Sequence, residues 1–155
     1  MDNKGVLFGV VIAALAAVFF LFGGAELFTG NNLIVMAWMD RRISGQALLR
    51  NWSIVYVGNL IGALGIAVLA QMSGTLDLNA GAVGQTANAI ARTKVELGWP
   101  EAFVRGVLCN ILVCLAVWMC FAAHTVTGKV FVILFPVTAF VALGLEHSVA
   151  NMYLI

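Results

Sequence analysis

The sequence predicts an all-α integral membrane protein, a bundle of spanning helices of which two are interrupted at membrane depth. Three observations carry that expectation. The 155 residues are 63% hydrophobic and 10% charged, with a mean hydropathy of +1.04, whereas soluble domains run about 45–50% apolar and about 25% charged. Charge is absent from Gly5–Ala25, Asn51–Leu76, Gly106–Ala123 and Val130–Leu145. A bilayer core of about 30 Å takes about 20 helical residues, so these stretches amount to four crossings, the last two short. The first and last of them run into glycine-flanked acidic segments, Gly24–Asn32 and Gly144–Asn151. A carboxylate there needs a reason.

A closed barrel would also span, but barrel strands alternate apolar and polar residues, and these stretches are apolar on every side. The first stretch follows Lys4, as in a signal peptide. It exceeds the usual apolar run of about 7–15 residues and has no clear small-x-small cleavage site, and is therefore read as a span. From Gly5 to Met39 the apolar character lasts 35 residues, or about 50 Å of straight helix, too long for one plain crossing. Gly23, Gly24 and Gly30 permit a break, and irregular backbone at that depth is tolerated only against protein or a water-filled cavity. The expectation is a single domain over residues 1–155, with spans at about 5–39 (broken at 24–32), 51–74, 102–123 and 130–155 (broken at 144–151).

Arg41, Arg42 and Arg50 put the first connection in the cytoplasm. The long linker Ser73–Pro100, where Asp77 and Glu96 offset Arg92 and Lys94, is then outside, and His124 and Lys129 return to the cytoplasm.

The two interruptions align. Gly24-Ala-Glu-Leu-Phe-Thr-Gly-Asn31 and Gly144-Leu-Glu-His-Ser-Val-Ala-Asn151 share glycine, glutamate and asparagine at a constant offset of 120, on spans that run in opposite directions. Interrupted helices at corresponding places of inverted repeats point to a transporter's central site. Gly58 and Gly62 mark a helix face that another backbone can approach closely. Asn59 and Asn110 are polar groups inside spans and need partners.

Several classes drop out. Cys109, Cys114 and Cys120 lie within one apolar stretch and are read as small core residues, not disulfides or metal ligands. A net charge of +1 with no basic cluster gives no nucleic-acid footprint. Glu146, His147 and Ser148 are adjacent, so on a helix they point apart, and no third orienting group is present. An enzyme is not expected, nor any cofactor or metal.

The strings GAELFTGN, NWSIVYVGNLIGA, CNILVCLAVWM and LEHSVANM, in that order, resemble the formate/nitrite transporter family. The resemblance covers essentially the whole chain. It implies an aquaporin-like inverted-repeat helical bundle of two three-helix halves, assembled as a homopentamer in the inner (plasma) membrane, multi-pass, with one pore per protomer. Set against that pattern the chain runs from the second helix to just past the break in the fifth. That implies a partial protomer, either a fragment or a subunit that needs other chains to close a pore. By resemblance His147 is the pore histidine, and Leu27, Phe28 and Thr29 form the loop facing it. Phe140 falls at an apolar constriction, Lys94 near the external vestibule and Asn110 near the pathway. Ala13 and Ala17 stand where bulkier side chains are expected in formate-type members.

The expected activity is passage of a small monovalent anion, formate before nitrite or hydrosulfide, assisted by a proton from His147. A pore-less structural membrane subunit is the alternative. An anion in a narrow apolar passage faces a desolvation cost that its neutral acid does not, and histidine is the side chain suited to lend a proton near neutral pH. Lys94 would concentrate the anion at the mouth, and Thr29 would donate a hydrogen bond to it. Glu26 and Glu146, with Asn31 and Asn151, are expected to support the breaks, the carboxylates accepting from free backbone amides. The partners are thus a small anion, protons and membrane lipid.

Overall fold

The computed structural model describes residues 26–155, and every described element is helical. The part of the first predicted span over residues 1–25, including Ala13 and Ala17, lies outside them. The chain leaves the first break at Leu27 in extended conformation (φ −102°, ψ 132°). It then winds through α1 (Phe28–Asn31), a 3-10 turn (Asn32–Ile34) and α2 (Val35–Met39). At its end, Arg42 N–H donates to Ala37 O at 2.8 Å and Arg41 N–H to Trp38 O at 2.9 Å. That is a Schellman closure with Arg41 at the left-handed position, φ +57°. Glycine normally fills that place because a Cβ is strained there.

Helix α3 (Gly45–Met72) starts on a Ser44 cap whose Oγ accepts from Ala47 N–H at 3.1 Å. It begins six residues ahead of the expected Asn51 because Arg50, which ends the charge-free run, sits exposed near the helix end where its charge reaches water. Only Leu48 and Val55 on it are buried. The glycine face expected to receive another backbone is open. A Cβ at Gly58, Gly62 or Gly65 would meet nothing within 4 Å, so no described part of the chain packs there.

The stretch 73–100, read from the sequence as a linker, holds a helix. Asn79, Ala80 and Gly81 are all left-handed (φ 54°, 55° and 82°), and this tight reversal launches α4 (Ala82–Val95), which carries Lys94 in its last turn. Helix α5 (Trp99–Ala122), with Pro100 in its first turn, packs against α6 (Val126–Ala142). Ile133 and Val137 form the buried centre of that pair, with Cys120 and Phe140 beside them. Pro136 removes one N–H within α6. The helix closes with Gly144 left-handed (φ +62°), Gly144 N–H on Val141 O and Leu145 N–H on Phe140 O. After an irregular Leu145–His147, α7 (Ser148–Leu154) resumes. The irregular residues fall within the expected break at 144–151, and helix resumes inside it at Ser148.

Among the described residues, α3 and α5 are long and apolar enough to cross a membrane, and α6 is a shorter apolar helix of 17 residues. In their most apolar windows only 6% of α3 and 11% of α5 is buried within the chain. A soluble core helix would be covered. These helices need lipid or other protein against them.

Replacing Arg41 by glycine is expected to remove the left-handed strain and stabilise the fold by about 0.5–1 kcal/mol. Thermal unfolding in detergent checks this, with Arg42→Gly, outside the strained position, as the control that should not gain.

Candidate functional site

An interrupted helix leaves backbone donors and acceptors without partners, and in lipid they must be satisfied by protein. At the first break one side chain satisfies both kinds. Asn59 of α3 accepts from Phe28 N–H through Oδ1 at 3.0 Å and donates through Nδ2 to Glu26 O at 3.1 Å. Trp52 Nε1 donates to Asn31 O at 3.1 Å. The Phe28 ring lies edge-on to Trp52 and Tyr56, with centroids 6.4 and 5.2 Å away. The turn is thereby fixed to α3 on one side. On the other, Cys114 Sγ of α5 lies 3.7 Å from Thr29 O.

The aligned motifs build the same bond. Asn31 Nδ2 donates to Glu26 Oε2 at 2.9 Å, and Asn151 Nδ2 to Glu146 Oε2 at 2.7 Å. The carboxylates therefore take side-chain donors, not the free backbone amides expected of them. Those amides are served elsewhere, by Asn59 in the first break and by the His147 ring in the second. Asn31 also donates to Asn51 Oδ1 at 3.2 Å.

The two breaks part company in charge. Lys94 Nζ lies 2.8 Å from Glu146 Oε2, the two side chains 15% and 10% exposed. The vestibule role expected of Lys94 needs a free cation, and here its charge is committed to a largely buried carboxylate. Arg105 of α5 donates to Gly144 O at 3.2 Å and to Glu101 Oε1 at 2.6 Å.

His147 joins the halves. Its Nδ1 accepts from Ala150 N–H at 3.1 Å and so caps α7. A nitrogen accepting from a backbone amide carries no proton, so the neutral ring has its hydrogen on Nε2, 3.3 Å from Thr29 Oγ1. Thr29 is buried. Phe140 stacks on the imidazole with centroids 5.5 Å apart and planes at 23°.

Two cavities flank this contact. One of about 470 Å³ runs along the first half of α5, lined by Phe28, Thr29, Cys109, Asn110, Cys114 and Glu146 among others. The other, about 340 Å³, runs along its second half, where Leu27, Val117, Phe121, Ile133 and Phe140 contribute. Among the described residues, His147 is the one common to both linings. Leu27 and Phe28, neighbours in the loop, face opposite cavities, and Phe140 shares that of Leu27. Asn110 lines the first, its Oδ1 buried with no hydrogen-bond partner among the described residues. His147 thus borders both cavities, whereas Thr29 borders the first, and the Nε2–H of the ring faces the Thr29 hydroxyl.

Residues 3–155 match the profile of the formate/nitrite transporter family. The chain belongs to that family. It is 42% identical over 149 residues to the formate channel FocA of Haemophilus influenzae, an overlap of 96% of this chain and 52% of that protein. It is 42% identical over 175 residues to a probable formate transporter of Methanothermobacter thermautotrophicus, covering 100% of this chain and 64% of that one. A solved pentameric formate channel with formate bound superposes with a TM-score of 0.83 at 34% identity, covering 99% of this chain and 61% of that chain. An FNT family ion channel superposes at 0.88 with 30% identity and the same coverage. The fold is therefore the family's inverted-repeat helical bundle with interrupted helices, and the chain spans about half the length of the curated relatives it matches.

Of the site residues named from the sequence, Thr29 and Phe140 contact His147, while Phe28 and Leu27 line one cavity each. Arg105, Asn51 and Trp52 were not singled out, and Asn59 was noted only as a polar group in need of partners.

Removing one partner of a largely buried ion pair strands the other, at about 3–5 kcal/mol. Lys94→Met is expected to lower stability by about 3 kcal/mol or more for this reason, and Lys94→Met combined with Glu146→Leu to recover most of it, both read from melting in detergent.

Proposed function

We propose that the chain forms part of a proton-assisted passage for small monovalent anions, formate foremost, with His147 at its centre. It acts in the inner (plasma) membrane as one multi-pass domain of a homopentamer. The observation that carries this reading is the Thr29–His147 contact, with cavities on both sides of it and His147 alone in both linings. Relatives named as formate channels favour formate within the anion class, and the pentamer rests on the solved formate channel. A channel reading, with no enzymatic step, fits the same relatives.

The physics of the passage follows from the tautomer. In the neutral ring, Nε2–H and the Thr29 hydroxyl are the donors an anion oxygen meets after leaving either cavity. Full permeation of the ion past Leu27, Phe28 and Phe140 would strip its water against apolar surface. Proton transfer relieves that cost: the ring takes a proton from water at Nδ1, and the imidazolium gives its Nε2 proton to a formate oxygen, leaving the Nδ1–H tautomer and formic acid. The acid re-ionises in water beyond, and the ring regains its Nε2–H form by taking up a proton at Nε2 and releasing the one on Nδ1. Forming the imidazolium places a hydrogen on Nδ1 and so gives up the bond from Ala150 N–H. Proton loading is therefore coupled to loosening of the first turn of α7.

A hydrogen bond to a charged group contributes about 1.5–3 kcal/mol, a factor of about ten to a hundred. His147→Phe is expected to slow formate uptake into proteoliposomes by at least about tenfold and to flatten its acceleration at acid outside pH. Unchanged flux and an unchanged pH profile would overturn the relay. Competition among formate, nitrite and hydrosulfide in the same vesicles ranks the substrates, and formate is expected to compete best.

A further inference from the structure

The break that carries His147 is clamped by a residue outside the passage. Gly144 closes α6 in a left-handed turn, and the chain then crosses Leu145–His147 without helical hydrogen bonds before α7 begins. Little in the backbone fixes one half-helix relative to the other. Arg105 of α5 supplies that link, with Nη1 on Gly144 O and Nη2 on Glu101 Oε1 one turn earlier. We propose that Arg105 is a positioning residue that ties the end of α6 to α5 and thereby holds His147 against Thr29.

The position of the imidazole depends on both half-helices at once. Its face rests on Phe140 in the last turn of α6, and its Nδ1 is fixed to Ala150 in the first turn of α7. Thr29 sits on a different element, tied to α5 at Cys114. The distance from His147 to Thr29 thus depends on how α6 sits on α5 and α7 on α3, and Arg105 is where α5 grips the end of α6. Its neighbour Gly106 also faces the break, where a Cβ would stand in ordinary contact with Glu146 O at 3.9 Å. A guanidinium suits the place. Its planar fork serves two acceptors in fixed directions, which a lysine ammonium on a flexible stem does not reproduce, and a cation is favoured beside the C-terminal carbonyls of a helix. The Glu101 and Arg105 side chains are 53% and 37% exposed, so the pair adds little to stability. Its effect is on geometry.

This inference deepens the proposed function and rests on it for the transport readout, so the test carries a second readout that does not. Formate uptake at several outside pH values and carbethoxylation of His147 by diethylpyrocarbonate, in a His124→Gln background, are measured for Arg105→Gln, Arg105→Lys and Glu101→Gln. A misplacement of about 1 Å costs up to about a hundredfold in a positioned reaction. Arg105→Gln is expected to lower the maximal uptake rate about fivefold or more, flatten its pH dependence, leave half-saturation unchanged and speed carbethoxylation about threefold, with little change in melting temperature. Arg105→Lys should restore part of each effect and Glu101→Gln should fall between. Wild-type carbethoxylation and uptake in Arg105→Gln would overturn the clamp, and so would a loss of uptake explained wholly by a lowered melting temperature. If His147→Phe transports normally, the relay fails, and the carbethoxylation rates still decide whether Arg105 holds the ring.

Discussion

An opened helix ladder in a membrane is the constraint on which this structure turns. Each break exposes backbone donors and acceptors where no water competes for them, and leaving one unmade is expensive. At the first break a primary amide, Asn59, answers a donor and an acceptor together because it carries both functions on one side chain. That explains why an asparagine sits in the middle of an otherwise apolar spanning helix, and it makes α3 the template on which the loop is laid. The aromatic contacts of Phe28 with Trp52 and Tyr56 follow from the same docking.

The halves repeat the Glu–Asn bond but differ in what surrounds it. The histidine-bearing break is held by cations from two elements, Lys94 at the end of α4 and Arg105 on α5, each matched by a carboxylate. Each of these cations is paired, Lys94 with Glu146 and Arg105 with Glu101. Recruitment by Lys94 alone, which the sequence suggested, gives way to a structural use of its charge. The break is thus held by ionic contacts from α4 and α5, and in the proposed passage an anion would meet the donors of Thr29 and His147 over short range.

What was legible in the sequence follows the same physics. Apolar runs record where chain meets lipid, so the spans over α3, α5 and α6 could be read, with ends displaced where charged residues such as Arg50 reach water from within the helix. The breaks were legible because a glutamate and asparagine recur at one offset, and repetition survives in sequence. Helix α4 was not. Its residues are small and polar, and its placement depends on the tertiary ion pair of Lys94 with Glu146, which no local period announces. Asn59 and Arg105 act across 33 and 39 residues of chain, and a contact between elements of unrelated spacing leaves no mark on either one alone.

The ring of His147 shows how far two demands on one side chain can be reconciled. As a helix cap it must keep Nδ1 free of a proton, and as a proton donor to an anion it must at some point carry hydrogen on both nitrogens. Both are met only in sequence, not at once. In the structure α7 is capped and Nε2–H is directed at Thr29; under the proposed relay, charging the ring would release the first turn of α7 while Phe140 still covered one imidazole face. The short, irregular Leu145–His147 crossing lets that turn move without disturbing α6, whose end is separately anchored at Gly144. A continuous helix through this point would have denied the ring its cap and coupled any motion at His147 to the whole spanning segment.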